Sequence, residues 1–473
     1  MKIFNIIQFI VLIFLSFLIF LSPIQAKSIS LDDFVKMVWE RNIKIKEYRS
    51  QVKIAELSIK QQEGIYDLNL QANLVQGSNY NNSTNLNSYS LGSGLSLTQK
   101  LSTGGDLSLN FSGNKTNSLT LPYNANSSIS LSQPLANGLG QQITDYQINF
   151  ARLNYQKSIQ VYLDSIQSLL QNAITEYYSY FINLRLKEVV LKNIDQTKAI
   201  LDEHKKKAAL NLVTAQDVLA AQIEYKKSLA DLLSAEDGII KSQENLSQFI
   251  NATLEDQQSI IQELVPIEPT TATFNQVEAI ATMQKQNPSL RAAQIEKQKI
   301  QLSLNYDQNK LLPNISLNLG LGYGSTFQTF LGSSVSSGTT YSMGISFQDF
   351  LGKREKSAIL EKDQVNLVAQ IFNEQSLQND LRIKLSNAIR TFSVQQKNVE
   401  INKEVLDLSS QLLKQQMQKF ELGLIQSYEL LNNEKSYKSA ELSYYEMLSS
   451  YLETYYQILV LEGDLLHKYG IQM

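Results

Sequence analysis

The apolar pattern along this chain changes period twice, in the same order each time. From Leu31 to Tyr66 apolar residues recur at helical spacing, with a break near Asn42. From Leu68 to Leu135 the period falls to two. Leu68, Leu70, Ala72 and Leu74 alternate with polar neighbours, as do Leu91, Leu95 and Leu97, then Leu107, Leu109 and Phe111, then Ile129 and Leu131. Each run predicts a strand with one apolar face, because successive side chains in a strand point to opposite sides of the sheet. Residues 77–84 and 113–117 form polar linkers, whereas Thr103-Gly104-Gly105 is a short one.

After Gly140 the helical period returns. Ile159, Leu163, Ile166, Leu170, Ala173, Tyr177, Tyr180 and Leu184 follow alternating spacings of four and three, which predicts a coiled-coil seam. No Gly or Pro occurs from Gln141 to Ala209, and Asn211 then interrupts the pattern. A second helix is predicted from Ala215 to about Ile250.

A proline-containing linker, Leu264 to Phe274, precedes a second pass through the same order. A helix from Asn275 breaks at Asn287-Pro288 and resumes to Leu312. Strands follow at 313–323 and 340–347, then a long helix from Lys353 to about Phe420. Gly423 interrupts it, and a final helix ends near Leu461, with Tyr444, Leu448, Tyr451, Tyr455 and Ile458 along its seam. The repeat is visible residue by residue. Asn211-Leu212-Val213 matches Gly423-Leu424-Ile425, and Asp217 matches Glu429, 212 positions on; Asn42 matches Asn287, 245 positions on. The extra 33 residues in the first half are long enough for one more hairpin, read at Ser88 to Ser112. The predicted organisation is thus a leader at 1–26, a first repeat at 27–263, a linker at 264–274 and a second repeat at 275–473.

Composition narrows the function classes. There is no Cys, which excludes disulfides and thiolate chemistry, and the two His residues lie far from any ligand-like cluster. His204, within Asp202-Glu203-His204-Lys205-Lys206-Lys207, and His467 are both expected at the solvated surface. No convergent catalytic set, metal site or cofactor motif is present, so no enzyme, metal or cofactor is expected. A net charge of −3 gives no electrostatic reason to expect nucleic acid. Lys2, the apolar run Ile6 to Leu21 and the small residue at Ala26 read as a secretory signal peptide cut after Ala26. No second apolar run is long enough for a helical span, so a further membrane crossing requires a closed barrel. Long turns alternating with short ones fit such a barrel. Six strands are too few to close one alone, so the barrel must be shared between copies.

The duplicated helix–strands–helix order resembles that of the TolC family of outer-membrane efflux proteins. So do Asn-Pro-Ser-Leu at Asn287, Leu311-Leu312-Pro313-x-Ile315-x-Leu317, Ser132-Gln133-Pro134-Leu135 and the two interruption motifs. The resemblance covers 27 to about 465. It implies a mainly α fold with a membrane β-barrel section, built as a homotrimeric helical tunnel capped by a shared barrel in outer-membrane lipid. It also implies an exit duct of tripartite efflux or type I secretion, working with a periplasmic adaptor and an inner-membrane transporter. The alternative, a trimeric coiled-coil adhesin, would carry its barrel at the C-terminus, whereas these strands lie mid-chain. Two features depart from the family. Members contribute four strands per chain, whereas six are read here, leaving the extra hairpin as either wall or extracellular flap. Asn211 stands where Gly is usual, a mild change because Asn tolerates the left-handed conformation.

The candidate site residues lie at the two helical turns. Asp217 and Glu429 each follow a turn by six residues, and in a three-fold tube their copies would form carboxylate rings favouring cations at the periplasmic entrance. Both also suit a helix N-terminus, where an acid is favoured by the helix dipole. Asn211, Leu212, Val213, Gly423, Leu424 and Ile425 form the tip turns. Their apolar side chains are candidates for adaptor docking or for packing between the hairpins. Ile425 replaces a basic residue that in several relatives locks the entrance.

Overall fold

The computed structural model describes residues 30–81, 86–116, 121–210, 212–252, 272–330, 332–422 and 424–471. The expected leader, most of the inter-repeat linker, and the turn residues Asn211 and Gly423 fall outside them.

The predicted order of elements is present. Helices α1 (Leu31–Arg41) and α2 (Ile43–Glu63) and a 3-10 turn (Gly64–Tyr66) lead to strands β1 (Asn69–Asn81), β2 (Leu86–Lys100), β3 (Asp106–Thr116) and β4 (Tyr123–Pro134). Helices α3 (Gln141–Thr144), α4 (Tyr146–Ala209) and α5 (Ala215–Ile250) follow. The second half runs α6 (Gln276–Gln286), α7 (Pro288–Lys310), β5 (Asn314–Phe327), β6 (Ser334–Gln348), α8 (Arg354–Glu421), α9 (Ser427–Glu462) and α10 (Leu465–Lys468). The single long helix expected from Gln141 is interrupted for one residue. At Asp145 ψ rises to 7°, and the Asp145 carboxylate accepts from the Tyr66 hydroxyl.

The chain divides into two compact units. One comprises Tyr48–Leu163 and Pro288–Asp380. Its described strands form one antiparallel sheet in the order β1-β2-β3-β4-β5-β6. The first four strands come from one half of the sequence and the last two from the other, joined through twelve residue pairs from Tyr123–Phe327 to Pro134–Ser316. The hairpin that could have been a flap lies within this sheet, between β1 and β4. At the foot of the sheet the Tyr146 and Tyr306 rings stack at 4.0 Å. Lys157 pairs with Glu296 at 2.8 Å, and Lys297 with Glu374 at 2.6 Å. Gly104 (φ +91°) makes the short β2–β3 turn, where a side chain would strike the Gly138 carbonyl.

The other unit comprises the described residues up to Glu47, Asp164–Asn287 and the chain from Leu381 onward. Its described elements are all helices, with α1 packed on α5 and α6 on α9. The expected seam residues Ile166, Leu170, Ala173, Tyr177 and Tyr180 are buried. So are Leu169, Ile174, Tyr178 and Phe181, so α4 buries a wider face than a two-helix seam. Tyr451 and Tyr456 of α9 belong to this packing: Tyr451 is fully enclosed and its ring stacks on Phe392 at 4.5 Å. Both short helices end at an Asn in extended conformation, Asn42 (ψ 125°) and Asn287 (ψ 119°). Among the described residues no helix is long and apolar enough to cross a membrane.

Candidate functional site

The strand register sorts the sheet into two chemically different faces. Leu70 lies opposite Leu97, Leu97 opposite Leu109, Leu109 opposite Ile129, Ile129 opposite Leu321 and Leu321 opposite Tyr341. A single apolar row therefore crosses all six strands. A second row on that face runs Leu107, Leu131, Leu319, Met343. One residue away along each strand, the opposite face carries Gln71, Ser96, Asn110, Ser128, Gly322 and Thr340 in register. In the described strands the charged residues of that polar face are Lys100 and Asp106, which face each other at the foot of the sheet and form a 3.1 Å ion pair. The period of two thus separates an apolar face suited to hydrocarbon from a neutral hydrophilic face suited to water. Among the described residues both edges, β1 and β6, are unpaired.

The helical unit carries the two turns. α5 begins with a capping box: Thr214 Oγ1 accepts from the Asp217 amide, and Asp217 Oδ2 accepts from the Thr214 amide at 2.9 Å and its hydroxyl at 2.6 Å. These bonds to Thr214 hold the Asp217 carboxyl below its ordinary pKa, with a smaller contribution from nearby His204. α9 begins at Gln426 without a side-chain cap, and Glu429 is exposed in its first turn. The preceding turns close alike: the Leu212 amide bonds to the Lys207 carbonyl at 3.0 Å, and the Leu424 amide to the Lys419 carbonyl at 2.9 Å. Leu212 and Leu424 project outward, 68% and 70% exposed. Val213 is half-buried. Ile425 is also half-buried and packs against a core of Ile200, Leu201, Ala221, Leu413, Phe420 and Leu430.

No family model and no curated protein matches this sequence. Solved structures do. A membrane protein from Pseudomonas aeruginosa aligns with a TM-score of 0.72 at 13% identity, covering 92% of this chain and 90% of that one. The open state of the Neisseria gonorrhoeae MtrE outer membrane channel aligns at 0.68 and 16% identity, covering 92% and 89%. The outer membrane protein VceC from Vibrio cholerae aligns at 0.70 and 12% identity, covering 92% and 96%. The fold is that of the TolC-type outer-membrane channels. At these identities the likeness concerns the fold.

Within this TolC-type fold the turn residues divide. Leu212 and Leu424 are exposed to solvent, whereas Ile425 packs against the turn-proximal core. Asp217 and Glu429 both occupy the first turn of a helix, and Asp217 is engaged in its cap. Among the described residues no group of three or more His, Asp or Glu side chains is placed to hold a metal ion.

One surface assignment is corrected. His204 is buried, 6% exposed, because its spacing from Ile200 and Leu201 turns it inward while Lys205 and Lys206 take the solvent. His467 does lie at the surface, 3.7 Å from Asp464. Among the described residues His204 Nδ1 has no hydrogen-bond partner, and neither has Gln416 Oε1, which stands 212 residues later, nor Glu434 Oε2. Burial pushes the Glu434 carboxyl up to about 7. These polar groups continue the apolar faces of the turn-proximal core, Glu434 four residues beyond Leu430 and Gln416 three beyond Leu413. That spacing was the available signal, and polarity masked it.

Proposed function

We propose that the protein is the outer-membrane exit duct of a tripartite efflux or type I secretion system. In this reading three copies share one barrel, and solutes pass passively from the periplasm, or from an inner-membrane transporter, to the outside. The observation that carries it is the six-stranded sheet with one apolar face, one polar face and two open edges. An isolated sheet of this kind leaves both edges unsatisfied, and in hydrocarbon each unpaired backbone group is costly, so the edges must find partners. An even number of antiparallel strands lets β6 of one copy meet β1 of the next with the alternation of direction preserved. Aromatic side chains at the ends of the apolar rows, Tyr123 beside Phe330 at 5.9 Å and Phe347 beyond Ile345, suit the two membrane–water interfaces. The outer-membrane placement of MtrE and VceC points the same way.

The turns then form the periplasmic entrance. Leu212 and Leu424 would dock a periplasmic adaptor. Asp217 and Glu429 would place rings of carboxylates there and favour cations. A strain lacking its own exit duct tests the reading. Expression of this chain should restore efflux only when the cognate adaptor and transporter are also supplied. Correct insertion in the outer membrane with no restored export by any such set would overturn it.

A further inference from the structure

The sheet holds more strand than an incidental hairpin would require. β2 is registered against β1 along all thirteen residues of β1, from Asn69–Thr98 to Asn81–Leu86, and β3 against β4 through ten pairs. A flap folded over a pore would break the register at its base. Here Leu95 and Leu97 of β2, and Leu109 and Phe111 of β3, fall on the same apolar face as Ile129 of β4 and Leu321 of β5. Ser96 and Asn110 fall on the polar face, where their side chains hydrogen-bond to each other at 2.6 Å. The two-sidedness that suits lipid outside and water inside therefore continues unbroken through the hairpin.

The polar face has its own character. Its rows are built mostly of Ser, Asn, Thr and Gly, with Gly92, Gly94, Gly320, Gly322 and Gly324 on it and Gln71 and Val75 of β1 among them. At Gly94 the side chain of Asn73 lies across the space a Cβ would fill, so the lining is low as well as neutral. The Lys100–Asp106 pair at the foot of the sheet cancels its own charge.

We propose that β2 and β3 are wall strands of the pore, so that three copies of this six-stranded sheet close an eighteen-stranded barrel with a wide neutral lumen that admits bulky solutes irrespective of charge. The proposal rests on the shared-barrel reading above and specifies its size and selectivity. Barrel diameter grows roughly in proportion to strand number, and barrels of about 16 to 18 strands enclose an aqueous channel. Any preference for charge then resides at the helical entrance, and the outer end is a permissive exit.

The native absence of cysteine makes a labelling test clean. Single variants Ser96→Cys and Asn110→Cys (polar face), and Leu95→Cys and Leu109→Cys (apolar face), are exposed in intact cells to a membrane-impermeant maleimide. Ser130→Cys and Ile129→Cys on β4 serve as the reference pair. Wall strands predict that Ser96→Cys and Asn110→Cys react at least about tenfold faster than their apolar-face neighbours, as the β4 pair does, because lipid shields one face and water bathes the other. Uniform reactivity across β2 and β3 with alternation retained on β4 would overturn the proposal and leave the duct standing. Loss of alternation on β4 as well would overturn the duct itself. A deletion of residues 82–120 joins β1 to β4 with Leu70 and Ile129 still on one apolar face. In planar bilayers, with polyethylene glycols added on the barrel side, its polymer-exclusion limit should fall, since diameter drops by about a third. An unchanged limit in a trimeric deletion variant would also overturn the proposal.

Discussion

Asn42 donates its side-chain amide to the Phe249 carbonyl at 2.7 Å, and the second half of the chain repeats this bond between Asn287 and the Leu461 carbonyl at 3.0 Å. The two asparagines are 245 residues apart and the two acceptors 212 apart, so each keeps the offset of its own segment. Phe249 and Leu461 both lie in the last turn of a helix, two residues before left-handed caps at Asn251 and Gly463. Their carbonyls lack helical partners there, and the asparagines at the breaks of the short helices supply them. Asn251 returns a bond to the Arg41 carbonyl at 2.8 Å. The duplication is thus maintained by the same piece of backbone chemistry in both halves.

Truncating either asparagine should leave a buried acceptor unmet. Asn42→Ala and Asn287→Ala are each expected to lower stability by about 1–3 kcal/mol. Denaturant unfolding followed by circular dichroism checks this. A loss below about 0.5 kcal/mol in both would mean that water satisfies these carbonyls.

Buried Glu434 predicts an unusual pH dependence. Its carboxyl has an ordinary value of 4.5 and is raised to about 7 by burial in the folded chain. The folded state therefore holds the proton more tightly than the unfolded one. Its stabilising contribution is complete below 4.5 and is lost as pH rises through about 7. The loss is at most about 3 kcal/mol across that window. Glu462, similarly raised to about 7 by burial, adds to the slope. Glu434→Gln should therefore be more stable than the native chain at pH 8, nearly equal to it at pH 4, and show a shallower slope between. Thermal unfolding across that range reads it out. Parallel curves would place the Glu434 carboxylate in contact with water or a cation.

The turn residues separate packing from docking. Ile425→Ala should destabilise the turn-proximal core, costing about 2–4 kcal/mol at most since the residue is only half-buried. Leu424→Ser and Leu212→Ser should change stability by under about 0.5 kcal/mol, because both side chains are exposed. The same two variants should weaken photo-cross-linking to the adaptor. Full cross-linking in the double variant would mean that docking uses another surface.

Much of this architecture is legible in the sequence because local periodicity reports local geometry. The alternation at Leu107, Leu109 and Phe111 and the 4-3 spacing from Ile159 identify strands and helix without any knowledge of contacts. Pairing is different. The union of β4 with β5 links Ser132 to Asn318, 186 residues away, and no local pattern distinguishes a hairpin in the wall from one above it. His204 was hidden for another reason: its lysine neighbours dominate the composition while helical phase decides its direction. Ile425 and Leu424 look alike in sequence, and only the packing of the final core turns one inward and the other out.

At the proposed entrance, charge removal discriminates between gate and helix end. Glu429→Gln with Asp217→Asn should reduce cation selectivity and divalent block in planar bilayers. The Asp217 change should also weaken the capping box with Thr214, since the depressed pKa of this acid marks the ionised form as the one bound. The linkage sign is opposite to that of Glu434: the contribution is present above the ordinary value of 3.8 and disappears on acidification. Unaltered selectivity with a weakened helix would show that these acids serve the helix termini alone.

The shared barrel is tested most directly by native mass spectrometry of the protein extracted from outer membranes in mild detergent. The sheet ends at two unpaired edges, β1 and β6, so the folded protein should fly as three copies and release single chains only on unfolding. A folded single chain with its strand content intact would contradict the account.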